Sequence, residues 1–373
     1  MKAAMKKVLV HGYTMDNLGD DLFFRVLASR YPDVFFYLPT LNVHYRDKYA
    51  DLSNLKVIDF LGISEVTTHK VYVLPKLYSR FNIKKFDAVV CIGGSLFIDR
   101  KNPTPKDRIE AENYSFICDW EIAEKAGVPY FVLGANWGPC YNDYFFDYFS
   151  RAFDSLTDLC FRDSHSYNLF ADKSAARQSG DILLGNPLIT GAVSNVHKKK
   201  QIAVSVIDAA GKPEMACSAR QYEEKLARLC DEFADYGYTV VLMSFCKSEH
   251  DEEAAAGILK KLEQKDHVRL LCYTQNWQEM LQAMAESEVI LGSRFHATVL
   301  GWTVGTPVYS LYYSQKTLSL LRDCRVAGGY LPMNEIEALT CKDILSQAVI
   351  ADTAEYGGWD EAFARLDKLL GQH

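Results

Sequence analysis

The sequence predicts an α/β protein built from two Rossmann-like domains facing a cleft, and three observations carry that prediction. Short apolar runs alternate with helix-period stretches nearly from end to end, the rhythm of βαβ units and parallel sheets. The rhythm breaks once, at the charged run His197-Lys198-Lys199-Lys200-Gln201. The 373 residues also exceed what one hydrophobic core comfortably organises.

Taken in order, Lys7-Val8-Leu9-Val10-His11-Gly12 is a buried strand, and Asp20 to Ser29 is the helix after it. Asp87 to Gly94 is a strand ending in glycines. A helix over Arg108 to Ala126 stops at Gly127-Val128-Pro129, where glycine ends the helix and proline precedes the strand Tyr130 to Gly134. After the break come a strand at Ile202 to Ile207, a helix at Gln221 to Tyr236 and a strand at Thr239 to Phe245. Tyr222, Leu226, Leu229 and Phe233 fall at 4-3-4 spacing and make one apolar stripe on that helix. Further on, Trp277 to Glu286 reads as a helix before the strand Val289 to Gly292, and Val304-Gly305-Thr306-Pro307 repeats the stop-and-start signal before Val308 to Leu311. The expected domains are 1–196 and 202–350, with 197–201 as linker. The remainder, 351–373, carries a C-terminal helix with no packing partner assigned.

Composition narrows the function. With 49% apolar and 24% charged residues the chain is that of a soluble globular protein. A net charge of −7 disfavours nucleic acid as a partner, so an anionic ligand would need a local group of cations. Ten cysteines without a Cys-x-x-Cys pair suit a reducing cytosol and offer no clustered ligands, so no metal is expected. The N-terminus lacks a secretory apolar region and no uncharged run reaches membrane-spanning length, which leads to a cytoplasmic expectation.

Ligands of open parallel sheets bind at the carboxyl ends of the strands, and four stretches hold that place. In His11 to Asp21, Asn17 and Gly19 suit a tight turn; Asp20 and Asp21 are helix-capping residues or ligands for acceptor hydroxyls. The stretch has no Gly-x-Gly-x-x-Gly, which disfavours a dinucleotide, and no cofactor is expected. Gly93-Gly94-Ser95 exposes backbone N–H groups to a ligand or permits close helix packing. Asn136-Trp137 offers an aromatic face to a sugar ring, unless Trp137 belongs to the core. In the fourth stretch, Arg294 and His296 share one side if the backbone is still extended. Arg294 has a fork for carboxylate or phosphate, and His296 a proton-transfer group near neutral pH; the alternative is a salt-bridged arginine and a backbone-bonded histidine. Arg162 and Lys316 also follow strands, and with Arg294 could converge on one small, strongly anionic ligand.

Together these stretches resemble the polysaccharide pyruvyl transferase family. Asn17-Leu18-Gly19-Asp20 is similar to its Asn-x-Gly-Asp motif, and Gly93-Gly94-Ser95 to its glycine-rich loop. Arg162-Asp163-Ser164-His165-Ser166 resembles its Arg-Asp-x-x-Ser segment, and Arg294-Phe295-His296-Ala297 its Arg-x-His-Ala signature, followed by Gly305-Thr306-Pro307, Tyr313 and Lys316. The resemblance runs in order from about residue 8 to residue 325. Two departures concern the acceptor: Gly134 to Pro139 replaces Gly-Gln-Gly-x-Gly-Pro, and Asp181-Ile182 stands for Asp-Pro.

The resemblance implies a GT-B arrangement with an acceptor-side N-terminal and a donor-side C-terminal domain. It implies transfer of pyruvate from phosphoenolpyruvate onto two sugar hydroxyls, giving a cyclic ketal and phosphate. On that footing Arg162, Arg294 and Lys316, with Gly93, Gly94 and Ser95, bind the donor, and His296 with Arg294 is catalytic. Asn17, Asp20, Asp21, Asn136 and Trp137 serve the acceptor, which could be lipid-linked at the inner membrane face. Pro75 to Phe86 mixes bases and aromatics and could touch an anionic surface there, or be a solvated helix face. The competing expectations are a nucleotide-sugar glycosyltransferase of the same fold and a non-catalytic carbohydrate-binding homologue.

Overall fold

The computed structural model describes residues 5–59, 73–99, 101, 116–212, 215, 218–353 and 356–371. The chain divides into two compact units. One comprises Met1–Thr14, Asp20–Ile182 and Gly358–His373; the other comprises Met15–Gly19 and Leu183–Gly357.

The first unit holds a seven-stranded sheet in the order β3-β2-β1-β4-β5-β6-β7. Its strands are β1 (Lys6–His11), β2 (Val34–Thr40), β3 (Leu55–Asp59), β4 (Ala88–Ile92), β5 (Tyr130–Ala135), β6 (Asp158–Phe161) and β7 (Ala176–Gln178). The second has six strands in the order β10-β9-β8-β11-β12-β13. These are β8 (Lys199–Val206), β9 (Thr239–Ser244), β10 (Val268–Cys272), β11 (Ser287–Gly292), β12 (Val308–Tyr312) and β13 (Tyr330–Pro332). Every neighbouring pair in both sheets is parallel. Both are doubly wound sheets, with switch points between β1 and β4 and between β8 and β11, as the alternating pattern predicted.

Parallel strands are covered on both faces, so β4 and β5 are buried along their whole length. The stripe Tyr222, Leu226, Leu229 and Phe233 lies in the core of the second unit on helix Ala219–Asp235, each residue at most 1% exposed. Helix Asp143–Asp154 plays the matching part in the first unit, burying Phe145, Phe149 and Phe153.

The domain boundaries differ from those expected. Residues 199–201 are not linker but the first residues of β8, whose two leading lysines are exposed before its interior begins. Lysines at the exposed start of this central strand are solvated without interrupting its pairing, so charge misled there. The division falls instead between Ile182 and Leu183. Helix Ala364–Leu370 belongs to the first unit, where Asp367 accepts hydrogen bonds from Arg30 (2.6 and 3.0 Å) and Tyr31 (2.7 Å). Of the helix expected over Arg108 to Ala126, the described part is Trp120–Ala126, and 108–115 lie outside the described residues.

Candidate functional site

In the first unit the predicted residues gather at the β1/β4 switch point. Asp20 stands in the first turn of helix Leu18–Arg30, half-buried, with a carboxylate oxygen near Gly93. Gly93 has φ +149°, which L side chains rarely adopt, so the loop needs glycine there. At Gly94 the constraint is space: a Cβ would fall on the Arg162 guanidinium. Arg162 is 2% exposed and donates to Asp181 (2.9 Å) and to Asn136 (2.8 Å). Ser95 in turn donates to Asn136 (3.4 Å). Asp163 caps helix Ser164–Leu169 by accepting from the Ser166 amide, and the Ser166 hydroxyl, bonded to Asp163, accepts from the Trp137 amide (2.8 Å). The Arg-Asp-x-x-Ser segment therefore fastens the loop after β5, which Ser95 joins to the loop after β4.

Two acceptor expectations are corrected here. Asp21 is 1% exposed and receives hydrogen bonds from Tyr45 (2.8 Å) and Lys48 (2.7 Å), so its carboxylate supports the fold. Trp137 is buried among Phe97, Phe145, Phe149, Phe153 and Phe170, with centroids 4.9 to 6.0 Å away. Its ring faces are spent on the core, leaving none for a sugar.

Sequence reasoning missed a network at the end of β1. Asp119, fully buried, accepts from His11 Nε2 (2.9 Å), Ser79 (2.5 Å) and Tyr130 (2.9 Å). Burial pushes this carboxyl up, but His11 and the two hydroxyls outweigh it and hold it below its ordinary value. A carboxylate with these donors assigns the His11 N–H to Nε2. His11 is the last residue of a strand, which was the available signal.

In the second unit the β8/β11 switch point presents Ser293 and Arg294, and helix Phe295–Thr303 begins immediately after. The Arg294 amide donates to the Ser205 hydroxyl (3.1 Å), and Tyr222 donates to Ser293 (2.9 Å), fixing the turn from both sides. The Arg294 guanidinium donates through Nε to Asp251 (2.9 Å), through Nη1 to Glu249 (2.8 Å), and through Nη2 to Asp251 again. Lys212 pairs with Glu249. Two cations here face two carboxylates. Arg294 is thus salt-bridged, one of the two alternatives its sequence left open.

The two carboxyls titrate in opposite senses. For Glu249 burial pushes up, but Arg294 and Lys212 outweigh it and hold it well below the usual range. For Asp251, deeper in the structure, burial wins over Arg294 and the group is raised. Glu249 and Asp251 follow β9, so the strand-end rule that led to Arg294 also applied to them.

His296 is 8% exposed in the first turn of its helix. Its ring lies against the backbone of Gly19, where a Cβ would fall on the imidazole itself. Gly19 is held there because Leu18 donates to Phe245 (3.0 Å), Asn17 bridges Cys246, and the Asn17 side chain accepts from the Gly19 amide (3.1 Å). The Asn-x-Gly and Arg-x-His segments, far apart in sequence, thus meet. Lys316 is half-buried in the first turn of helix Gln315–Asp323, while Lys212 is the lysine paired with Glu249.

Comparison with known proteins adds identity to this geometry. Residues 17–315 match the model of the family described as polysaccharide pyruvyl transferase. The amylovoran biosynthesis protein AmsJ of Erwinia amylovora is 23% identical over 274 residues, which are 68% of this chain and 63% of that protein. The chain thus aligns with less than two thirds of that relative's length. Among solved structures, the MnaA–UDP structure from S. aureus gives a TM-score of 0.66 at 11% identity, covering 99% of this chain and 98% of that one. UDP-GlcNAc 2-epimerase of Methanocaldococcus jannaschii, in complex with UDP-GlcNAc and UDP, gives 0.61 at 12%, covering 99% and 100%. MurG of Acinetobacter baumannii gives 0.53 at 12%, with the same coverage. These likenesses show the fold, two Rossmann-like units of the GT-B class. The family match extends over most of the chain and takes in the four strand-end segments: the chain belongs to the polysaccharide pyruvyl transferase family.

Proposed function

We propose that the protein transfers pyruvate from phosphoenolpyruvate to two hydroxyls of a sugar, forming a cyclic ketal and releasing phosphate. The observation that carries this reading is the seating of His296 against Gly19, which joins two segments the family resemblance singles out. The methylene carbon of the donor must gain a proton, and the attacking hydroxyls must each lose one. His296 suits that work, typically worth about 10²–10⁴-fold. The donor's carboxylate and phosphate need cationic partners, since burying such charges alone is costly. Arg162, Arg294 and Lys316 are the candidates, with the N–H groups of Gly93, Gly94 and Ser95. Arg162 and Arg294 already hold carboxylates, so a donor must share or displace Asp181, or Asp251 and Glu249. Asp20 and Asn136 are the acceptor-side candidates.

Thermal unfolding with millimolar phosphoenolpyruvate, and separately with UDP and GDP, tests the donor. Phosphoenolpyruvate is expected to raise the midpoint by mass action. Stabilisation by a nucleotide alone would move the protein to nucleotide-sugar transfer. His296→Ala should keep the donor shift and lose turnover on a true acceptor; wild-type turnover would remove its assigned role.

Among the described residues no helix is long and apolar enough to cross a membrane. On helix Val73–Asn82, Leu77 (43% exposed) and Phe81 (74%) share one face, and Arg80, Lys84 and Lys85 are exposed nearby. A lipid-linked acceptor at the inner face of the membrane would be met by such a surface. Vesicles containing phosphatidylglycerol should co-sediment the protein, and Leu77→Ser/Phe81→Ser should abolish this. Equal sedimentation by neutral vesicles would refute the anionic-surface reading.

A further inference from the structure

The two carboxylates on Arg294 are held differently. The Asp251 side chain is 0% exposed and takes the Nε/Nη2 edge of the guanidinium with both oxygens. It also accepts from the amides of Phe245 (3.3 Å) and Cys246 (3.0 Å). Glu249 stands on the one-turn 3-10 helix Lys247–Glu249 with its side chain 26% exposed. Its oxygen Oε2 meets both Arg294 Nη1 (2.8 Å) and the Lys212 ammonium. Asp251 is therefore built into the turn and orients the arginine. Glu249 borders solvent, and its side chain can swing out with no backbone hydrogen bond lost.

The place it would leave lies between an ammonium and one corner of a guanidinium. The bidentate edge that best recognises a carboxylate is already taken by Asp251, so this place suits an oxygen of a phosphate. Burial pushes the Glu249 carboxyl up, but Arg294 and Lys212 hold it well below its usual range, so it is ionised wherever phosphate would compete. Tyr313 lies among the same four charged groups and lines a cavity of about 310 Å³, which puts open space beside the cluster.

We propose that Glu249 is an internal competitor of the donor: its carboxylate occupies the place of the donor's phosphate between Lys212 and Arg294, and the phosphate binds by displacing it while Asp251 stays. The inference rests on the pyruvyl-transfer reading for the identity of the donor and adds Lys212 to the groups that hold it. Only molecules with Glu249 displaced can bind, so the apparent Kd exceeds the intrinsic one by the inverse of their fraction.

Calorimetric titration of the full chain with inorganic phosphate, phosphoenolpyruvate and pyruvate tests it. Glu249→Gln should tighten inorganic phosphate and phosphoenolpyruvate about tenfold or more, one charge-assisted hydrogen bond's worth, and leave pyruvate unchanged. In that background Lys212→Gln should take back most of the gain. Glu337→Gln, which removes an exposed carboxylate from the same unit, should change nothing, because solvent and salt screen it. Arg294 keeps Asp251, and Lys212 reaches water, so the Glu249→Gln protein should melt close to wild type. Unchanged or weaker phosphate binding in the folded Glu249→Gln protein, equal tightening by Glu337→Gln, or tightening of pyruvate in place of phosphate would overturn the proposal. The donor reading is scored separately. Inorganic phosphate that tightens in Glu249→Gln, with no binding of phosphoenolpyruvate even there, would sink pyruvyl transfer and leave the internal competitor standing.

Discussion

Replacing Gly19 with alanine puts one methyl group where the His296 ring now lies. The added Cβ would fall against Nδ1, Cγ and Cε1 of that ring, and contact becomes ordinary only from 3.4 Å outwards. The imidazole must therefore retreat by more than about 1 Å, a displacement of the order that costs about 10²-fold in a positioned catalytic group. Leu18 is pinned to Phe245 and the Gly19 amide to Asn17, so the backbone cannot yield instead. Overpacking of this kind costs about 1–3 kcal/mol. The assay is a four-protein cycle of wild type, Gly19→Ala, His296→Ala and the double variant, followed by thermal unfolding and, once an acceptor is known, turnover. Gly19→Ala should lower the midpoint by several degrees in the wild-type background, since about 1 kcal/mol moves a unit of this size by 2–4 °C. In the His296→Ala background the space is vacant and the same substitution should cost almost nothing, giving a large coupling. Equal effects in both backgrounds would refute the contact and, with it, the reason for glycine at position 19.

Three further outcomes follow from the geometry. Arg162→Ala leaves Asp181 buried without its cation and should destabilise the protein by about 3–5 kcal/mol in chemical denaturation, with Asp181→Asn/Arg162→Ala recovering part of it. Asp119 is held below its ordinary 3.8, so its contribution is complete above about pH 4 and fades as pH falls through the depressed native value. His11→Ala should cost about 3 kcal/mol near neutral pH and flatten that acid limb, read by denaturation at a series of pH values. Trp137→Ala should lose about 3–5 kcal/mol as a core truncation in chemical denaturation while leaving the KM for a true sugar acceptor unchanged; a selective loss of acceptor binding would restore its acceptor role.

Much of the fold was legible because burial on both faces of a parallel sheet forces continuous apolar strands, and helices between them must repeat near 3.6. Runs such as Ala88–Ile92 and Tyr130–Ala135, and the stripe from Tyr222 to Phe233, satisfy those periods and nothing else. The lysines at 199 and 200 hid the start of β8, since side-chain charge reports solvent exposure rather than backbone pairing. The short strands β7 and β13, three residues each, carry too little pattern to register.

The candidate site divides in the same way. That Arg162, Arg294 and His296 follow strands was determined by local sequence, because a strand's end and the next helix's start are short-range facts. What each side chain meets was not. Asp251 and Glu249 reach Arg294 from 43 and 45 residues away, and Asp119 reaches His11 from 108. Asp20 and Asp21 are adjacent and chemically alike, yet one lies half-buried beside Gly93 and the other is sealed under Tyr45 and Lys48. Successive residues on a helix point about 100° apart, and only the packed neighbours decide which direction is core. The sequence alone determined which chemical groups stand at the strand ends; tertiary packing, acting over long separations, decided which of them are already paired.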